Sequence, residues 1–137
     1  MPEMRTHQET RLEHAPIDRK QAHKVAHPEW FTGPVHMQYL TNAERSEELE
    51  VIAVFFENGA TTVPHVHATD QLLVVVEGRC VAGDLSGSRE LAVGETLFIP
   101  ALEWHWHGAA VGHSGCHLSI RKPGPTNWNM PKPEPQA

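Results

Sequence analysis

The chain has 137 residues and a formal charge of −6, which predicts one domain with room for a single core. Residues 29–121 contain twelve acidic and four basic residues. Because a phosphate-backbone binder needs a basic surface, we expect no nucleic-acid partner. No apolar run approaches the roughly 18 residues of a membrane span and the N-terminus carries no apolar leader, so we expect a cytoplasmic protein without a membrane partner.

The chain divides into three zones by composition. Residues 1–28 are polar and show no sustained apolar period, which predicts a flexible N-terminal arm. Residues 29–122 contain short apolar runs separated by turn residues, and we expect the folded domain here. Residues 123–137 hold five prolines, which predict an irregular Pro-rich tail because proline has no N–H for a strand ladder.

The apolar runs of the central zone have the length and composition of β-strands. They are rich in Val, Leu, Ile and Phe, and none keeps a helical period over ten residues. We expect Gly78 to separate two of the strands. This pattern predicts an all-β sandwich or barrel. The predicted strands are 35–40, 49–56, 71–77, 79–85, 89–93, 96–99 and 116–121.

Two segments of this zone carry residues suited to metal chemistry. Side chains alternate faces along a strand, so His65 and His67 point the same way, and Gln71 has the same parity. His105 follows the end of a later strand at Pro100 and can supply a third imidazole. Three nitrogens and one oxygen suit a divalent first-row metal that keeps positions open for water or substrate. A lone His-x-His pair, by contrast, is usually a surface feature.

The offsets of glycine, proline and histidine in these segments resemble both signature motifs of the cupin superfamily. The first motif runs from Gly59 to Gly78, and the second runs from Gly94 through Pro100 to His105. The resemblance implies a double-stranded β-helix, a jelly-roll-like barrel, with irregular N- and C-terminal extensions. It also implies one divalent transition metal, for which Mn²⁺ or Fe²⁺ fits best and Ni²⁺ and Zn²⁺ are alternatives. The implied metal ligands are His65, His67, Gln71 and His105.

The sequence departs from these motifs at two positions. Gln71 stands where the family usually has Glu, and Leu102 stands where it usually has Gly. A neutral amide removes a negative charge from the ligand set and leaves a bound metal more electrophilic. The other interpretation of Gln71 is a metal site that has decayed. The presence of all three histidines argues against it.

The segments EWFTG at 29–33, WHWHGA at 104–109 and CHLSI at 116–120 carry a narrower resemblance over residues 29–121. It is to small single-domain bacterial cupins with a His, His, Gln, His ligand set. That group includes manganese-dependent hydroxynitrile lyases and quercetinase-like members. By this resemblance His117 acts as a catalytic base, and Ile52 and Val54 line the substrate cavity.

Two further residues are assigned by strand parity. His107 shares the parity of His105, which predicts either a catalytic histidine or a hydrogen-bonded packing residue. Arg121 shares a face with His117, which predicts either an anchor for a substrate carboxylate or a solvated surface charge.

Three functions remain open at this point. The favoured one is a metal-dependent enzyme with a mononuclear non-haem dioxygenase-type reaction on a small organic substrate. The second is an O₂-independent metal lyase or isomerase, such as a hydroxynitrile-lyase-like C–C lyase, and the third is a non-catalytic small-ligand-binding cupin. We expect a homodimer, because pairing would cover exposed sheet edges.

Overall fold

The structure is a computed structural model that describes residues 11–134. Within these residues it is an antiparallel β-barrel, and the all-β prediction is confirmed. Two 3₁₀ turns, Arg19–Gln21 and Pro28–Trp30, are its helical elements, and no helix in the described range is long and apolar enough to cross a membrane. The strands are β1 His23–Lys24, β2 Val35–Thr41, β3 Glu50–Phe56, β4 His65–His67, β5 Gln71–Asp84, β6 Gly87–Ala92, β7 Thr96–Ile99, β8 Trp106–Ala109, β9 Gly115–Arg121 and β10 Thr126–Trp128.

The long strand β5 joins the two walls of the barrel. Its first half lies between β7 and β9, and its second half lies between β6 and β8. On the far side of β9 the order continues through β3 and β2 to the short edge strand β1. The strand pair β4 and β10 forms a separate two-stranded sheet.

Gly78 lies inside β5 and does not end it, so the expected division of residues 71–85 into two strands is wrong. The pairing of β5 with β9 shifts register between Val75 and Glu77, and Gly78 follows with a φ of +69°. A Cβ at this position would meet the Ser114 carbonyl oxygen at 2.1 Å. Glycine therefore permits a bulge that bends a continuous strand from one wall into the other.

Strand β3 is buried on both of its faces, which explains its unbroken apolar run. Ile52, Val54 and Phe56 point into the barrel and pack with other apolar side chains of the interior. Ala53 and Phe55 point outward and pack in a separate cluster, against which Ala22 of the N-terminal segment lies. The interior face of β3 therefore supplies apolar walls to the cavity described below.

Both flanking segments are largely irregular within the described residues, as expected, and each contributes one short strand. Near the N-terminus the Gln38 side chain accepts from the Asp18 N–H at 2.9 Å and donates to the Pro16 carbonyl at 2.8 Å, and β1 pairs with β2. The expectation for residues 1–10 lies outside the described residues. Near the C-terminus the proline-free stretch Thr126–Trp128 keeps its N–H groups and pairs with β4 as β10.

Candidate metal centre

Three buried histidines come together where β4 meets the chain just before β8. His65 and His67 lie on β4, and the backbone of His65 exchanges hydrogen bonds of 2.9 and 3.1 Å with the backbone of His105. One nitrogen of each imidazole lies within 4.8 Å of the others. The three side chains are at most 6% exposed. This group can hold a metal ion.

Two of these imidazoles are oriented by backbone carbonyls close to them in sequence. Nδ1 of His65 donates to the Val63 carbonyl at 2.8 Å, and Nδ1 of His105 donates to the Glu103 carbonyl at 2.8 Å. A carbonyl can only accept, so the proton of each neutral ring is on Nδ1. The lone pair of each ring is therefore on Nε2, as ligation through that atom requires.

The third imidazole is oriented by a residue far away in the sequence. Nδ1 of His67 lies 2.8 Å from the hydroxyl oxygen of Thr126, which belongs to β10. The Nε2 atoms of His65, His67 and His105 are all buried without a hydrogen-bond partner. Buried polar atoms are rarely left unpaired, so three such nitrogens in one place fit a metal ion.

Gln71 offers an oxygen beside these nitrogens. Its amide nitrogen donates to the Ser119 hydroxyl at 2.7 Å, which leaves Oε1 buried and without a partner. In this orientation the oxygen is the end of the amide that remains free for a metal. The set of four donors carries no formal charge.

Burial keeps these histidines uncharged. It lowers the pKa of His65 to about 3 and that of His67 to about 2, with neighbouring imidazoles adding to the effect. Burial lowers the pKa of His105 as well. Because the neutral imidazole is the form that binds metals, the site is ready for a cation at neutral pH.

A cavity of about 70 Å³ adjoins these donors. Ile52 and Val54 line it, as the resemblance implies, together with the apolar side chains of Phe31, Met37 and Trp128. A larger cavity of about 460 Å³ lies by the β5–β6 hairpin, but His105 alone of the four donor residues lines it. The smaller cavity is lined by the other three, so it is the cavity that adjoins the candidate metal centre.

His107 and His117 form a buried pair beside the donors. Nδ1 of His107 lies 2.9 Å from Nε2 of His117, and Nε2 of His107 has no partner. His107 lines the small cavity, whereas His117 is absent from its wall. Burial lowers the pKa of His107 well below its ordinary value and that of His117 to about 4, so both rings are neutral. The structure thus puts His107 at the cavity and His117 behind it.

Arg121 lines the cavity and is not the solvated surface charge that was one of the two expectations for it. Its side chain is 10% exposed, so it is not a solvated charge, and its Nε donates to Glu50 at 2.8 Å. Its two terminal nitrogens donate to the Thr69 hydroxyl, the Gly124 carbonyl and the Thr126 hydroxyl at 3.2–3.3 Å. Four of the five guanidinium N–H groups already have acceptors, so a substrate carboxylate could form a bidentate pair with Arg121 only by displacing one of these acceptors.

Sequence reasoning missed two residues of β10 that contact the histidines of this site. Thr126 contacts His67, and the Trp128 ring lies 4.5 Å from that of His65 and stacks on Trp30 at 4.7 Å. The only signal for them was a β-branched and an aromatic residue in a short proline-free stretch of the tail.

Comparison with known proteins agrees with this architecture. No protein-family model matches the sequence. The chain is 35% identical over 95 residues to an (R)-mandelonitrile lyase of Granulicella tundricola, and the alignment covers 69% of this chain and 72% of the lyase. It is 31% identical to a cupin-like protein of Thermotoga maritima with a TM-score of 0.74, over 83% of this chain and 88% of the other.

A more distant structure supports the fold alone. The polyketide cyclase RemF of Streptomyces resistomycificus superposes with a TM-score of 0.68 at 18% identity, over 88% of each chain. The shared barrel, and identity above 30% with two proteins across more than two thirds of their lengths, show that this chain belongs to the cupin superfamily.

Proposed function

We propose that this protein is a metal-dependent lyase that cleaves small, uncharged α-hydroxynitriles into a carbonyl compound and hydrogen cyanide. The observation that carries the proposal is the small cavity shared by unpaired metal-donor atoms and by the unpaired Nε2 of His107. The identity with an (R)-mandelonitrile lyase supports the type of reaction.

The donor set fits one divalent cation. His65, His67 and His105 would bind it through Nε2 and Gln71 through Oε1, since these four atoms are buried and have no other partner. A divalent ion bound there would act as a Lewis acid and polarise the substrate hydroxyl oxygen. Four protein donors would leave it coordination positions for the substrate.

His107 is the proposed proton carrier. Its Nε2 takes the hydroxyl proton, the C–O bond becomes a carbonyl, and the bond to the nitrile carbon breaks with its electron pair leaving on cyanide. His107 then returns the proton to cyanide, so that the products are a carbonyl compound and HCN. His117 accepts the Nδ1–H of His107 in this scheme and holds the tautomer with a free Nε2. The sequence resemblance implied that His117 itself is the base.

Charge and size define the proposed substrate. Among the described residues that line the cavity, Glu50 and Arg121 are the charged ones, and they neutralise each other. The cavity is small, about 70 Å³, against about 460 Å³ for the cavity by the β5–β6 hairpin. A small aliphatic cyanohydrin therefore suits the cavity better than an aromatic or anionic substrate.

The test is the release of HCN from acetone cyanohydrin, measured with the metal-loaded and chelated protein in the presence and absence of O₂. We expect turnover that needs Mn²⁺ or Fe²⁺ and does not need O₂. The His107→Asn variant should lose about 10²- to 10⁴-fold in turnover while keeping its metal. His113→Asn, at an exposed loop position, is the matched control. Full activity after chelation, or in His107→Asn, would overturn the proposal.

The dioxygenase-type reaction is the second candidate, because the same four neutral donors would leave positions for both a substrate oxygen and O₂. Turnover of enolisable acids or diketones that stops under anaerobic conditions, without cyanohydrin cleavage, would favour it.

A further inference from the structure

The three histidines of the centre are not held in the same way. His65 and His105 each donate to a carbonyl two residues earlier in the chain, so their orientation is local to the motifs that carry them. His67 depends on the Thr126 hydroxyl, 59 residues later. The orientation of one donor is thus controlled by a segment outside both cupin motifs.

The segment that carries Thr126 is fastened to the barrel on both sides of this residue. In the register of β10 with β4, Thr126 lies opposite His67 and Trp128 lies opposite His65. The Ala68 N–H donates to the Pro125 carbonyl at 3.1 Å, and the Met130 N–H donates to the Pro64 carbonyl at 3.0 Å. These bonds keep the Thr126 hydroxyl within reach of the imidazole.

Arg121 adds a fixed donor to the same hydroxyl. Its terminal nitrogen lies 3.3 Å from the Thr126 oxygen, and Glu50 holds the guanidinium from the other side at 2.8 Å. Arginine has no acceptor, so the Thr126 oxygen must accept this bond. The same oxygen keeps a second lone pair that can accept the Nδ1–H of His67, and in that tautomer Nε2 is unprotonated and free for a metal.

We propose that Thr126 is a positioning residue for the metal centre, and that the C-terminal strand β10 determines metal affinity by holding the tautomer and ring orientation of His67. This inference rests on the proposed metal site. The proposed role requires only the hydroxyl of Thr126, so a serine at this position should preserve metal affinity and a valine should not.

The test compares Thr126→Val and Thr126→Ser with the wild type by competition with a chromogenic chelator for Mn²⁺. Valine keeps the shape of threonine and removes the acceptor, so we expect an affinity loss of about 10- to 100-fold, restored by serine. In the metal-free protein, ¹⁵N NMR of the imidazoles should show His67 protonated at Nδ1 in the wild type and a mixture of tautomers in Thr126→Val.

Thr69→Val is the matched control. The Thr69 hydroxyl accepts from Arg121 at 3.3 Å and donates to the Lys122 carbonyl at 2.7 Å, so it fastens the same segment without touching a histidine. We expect wild-type metal affinity in this variant. Equal losses in Thr69→Val and Thr126→Val, or wild-type affinity in Thr126→Val, would overturn the inference. A wild-type protein that binds no metal would instead refute the proposed function, and the NMR comparison would still test the role of Thr126.

Discussion

His117 should make the metal-free protein sensitive to mild acid. Burial lowers its pKa from 6.5 to about 4, so between these values the unfolded chain binds a proton that the folded chain does not. Protonation then favours the unfolded state, and the stability from this group is present above pH 6.5 and is lost as the pH falls. Between pH 7 and pH 5 the loss amounts to about 2 kcal/mol of unfolding free energy from this residue.

The His117→Gln variant tests this value, because it removes the titrating group and keeps a polar side chain. Urea unfolding of both proteins at pH 7 and pH 5, with a chelator present, should show that the variant loses about 2 kcal/mol less than the wild type. His65, His67 and His105 titrate in both proteins and cancel in the comparison, whereas His107, which is bonded to His117, contributes to the measured difference. His113→Gln, in the exposed loop after β8, should behave as the wild type. An identical pH dependence in His117→Gln would refute the reasoning that burial holds this ring neutral.

Four other predictions follow from the cavity and its surroundings. Glu50→Gln removes the carboxylate that neutralises Arg121, so the carboxylate of lactate should bind there and inhibit nitrile cleavage about tenfold more strongly. An unchanged inhibition constant would contradict this. Ile52→Ala should raise turnover of mandelonitrile relative to acetone cyanohydrin by about tenfold, and a constant ratio would count against the small cavity. Leu102→Gly should raise the free energy of unfolding by about 1 kcal/mol, as measured in urea, since Leu102 has a φ of +69°. Mn²⁺ at about 100 times its Kd should stabilise the protein by about 2.7 kcal/mol. A thermal unfolding midpoint that does not change when Mn²⁺ is added would argue against the site.

The backbone at Leu102 explains why glycine is usual at this position of the second motif. Its place in the second motif usually holds glycine, and the structure shows a left-handed backbone there, which glycine adopts without strain. The Leu102 N–H donates to the His67 carbonyl at 2.8 Å, and this bond helps to maintain the conformation despite the side chain. The sequence shows that Leu102 departs from the motif, and the positive φ explains why a leucine there is strained.

The sequence by itself determined the all-β class, because alternating apolar runs and turn residues are local properties of a chain. Strand parity put His65 and His67 on one face, and the resemblance of the two segments to the cupin motifs added His105 to them. The tertiary structure alone decided that His107, and not His117, faces the cavity, and that Arg121 is already paired with Glu50. It alone brought Thr126 to His67, because hydrogen bonds between residues 59 positions apart depend on how strands pair in space and leave no periodic trace in the sequence.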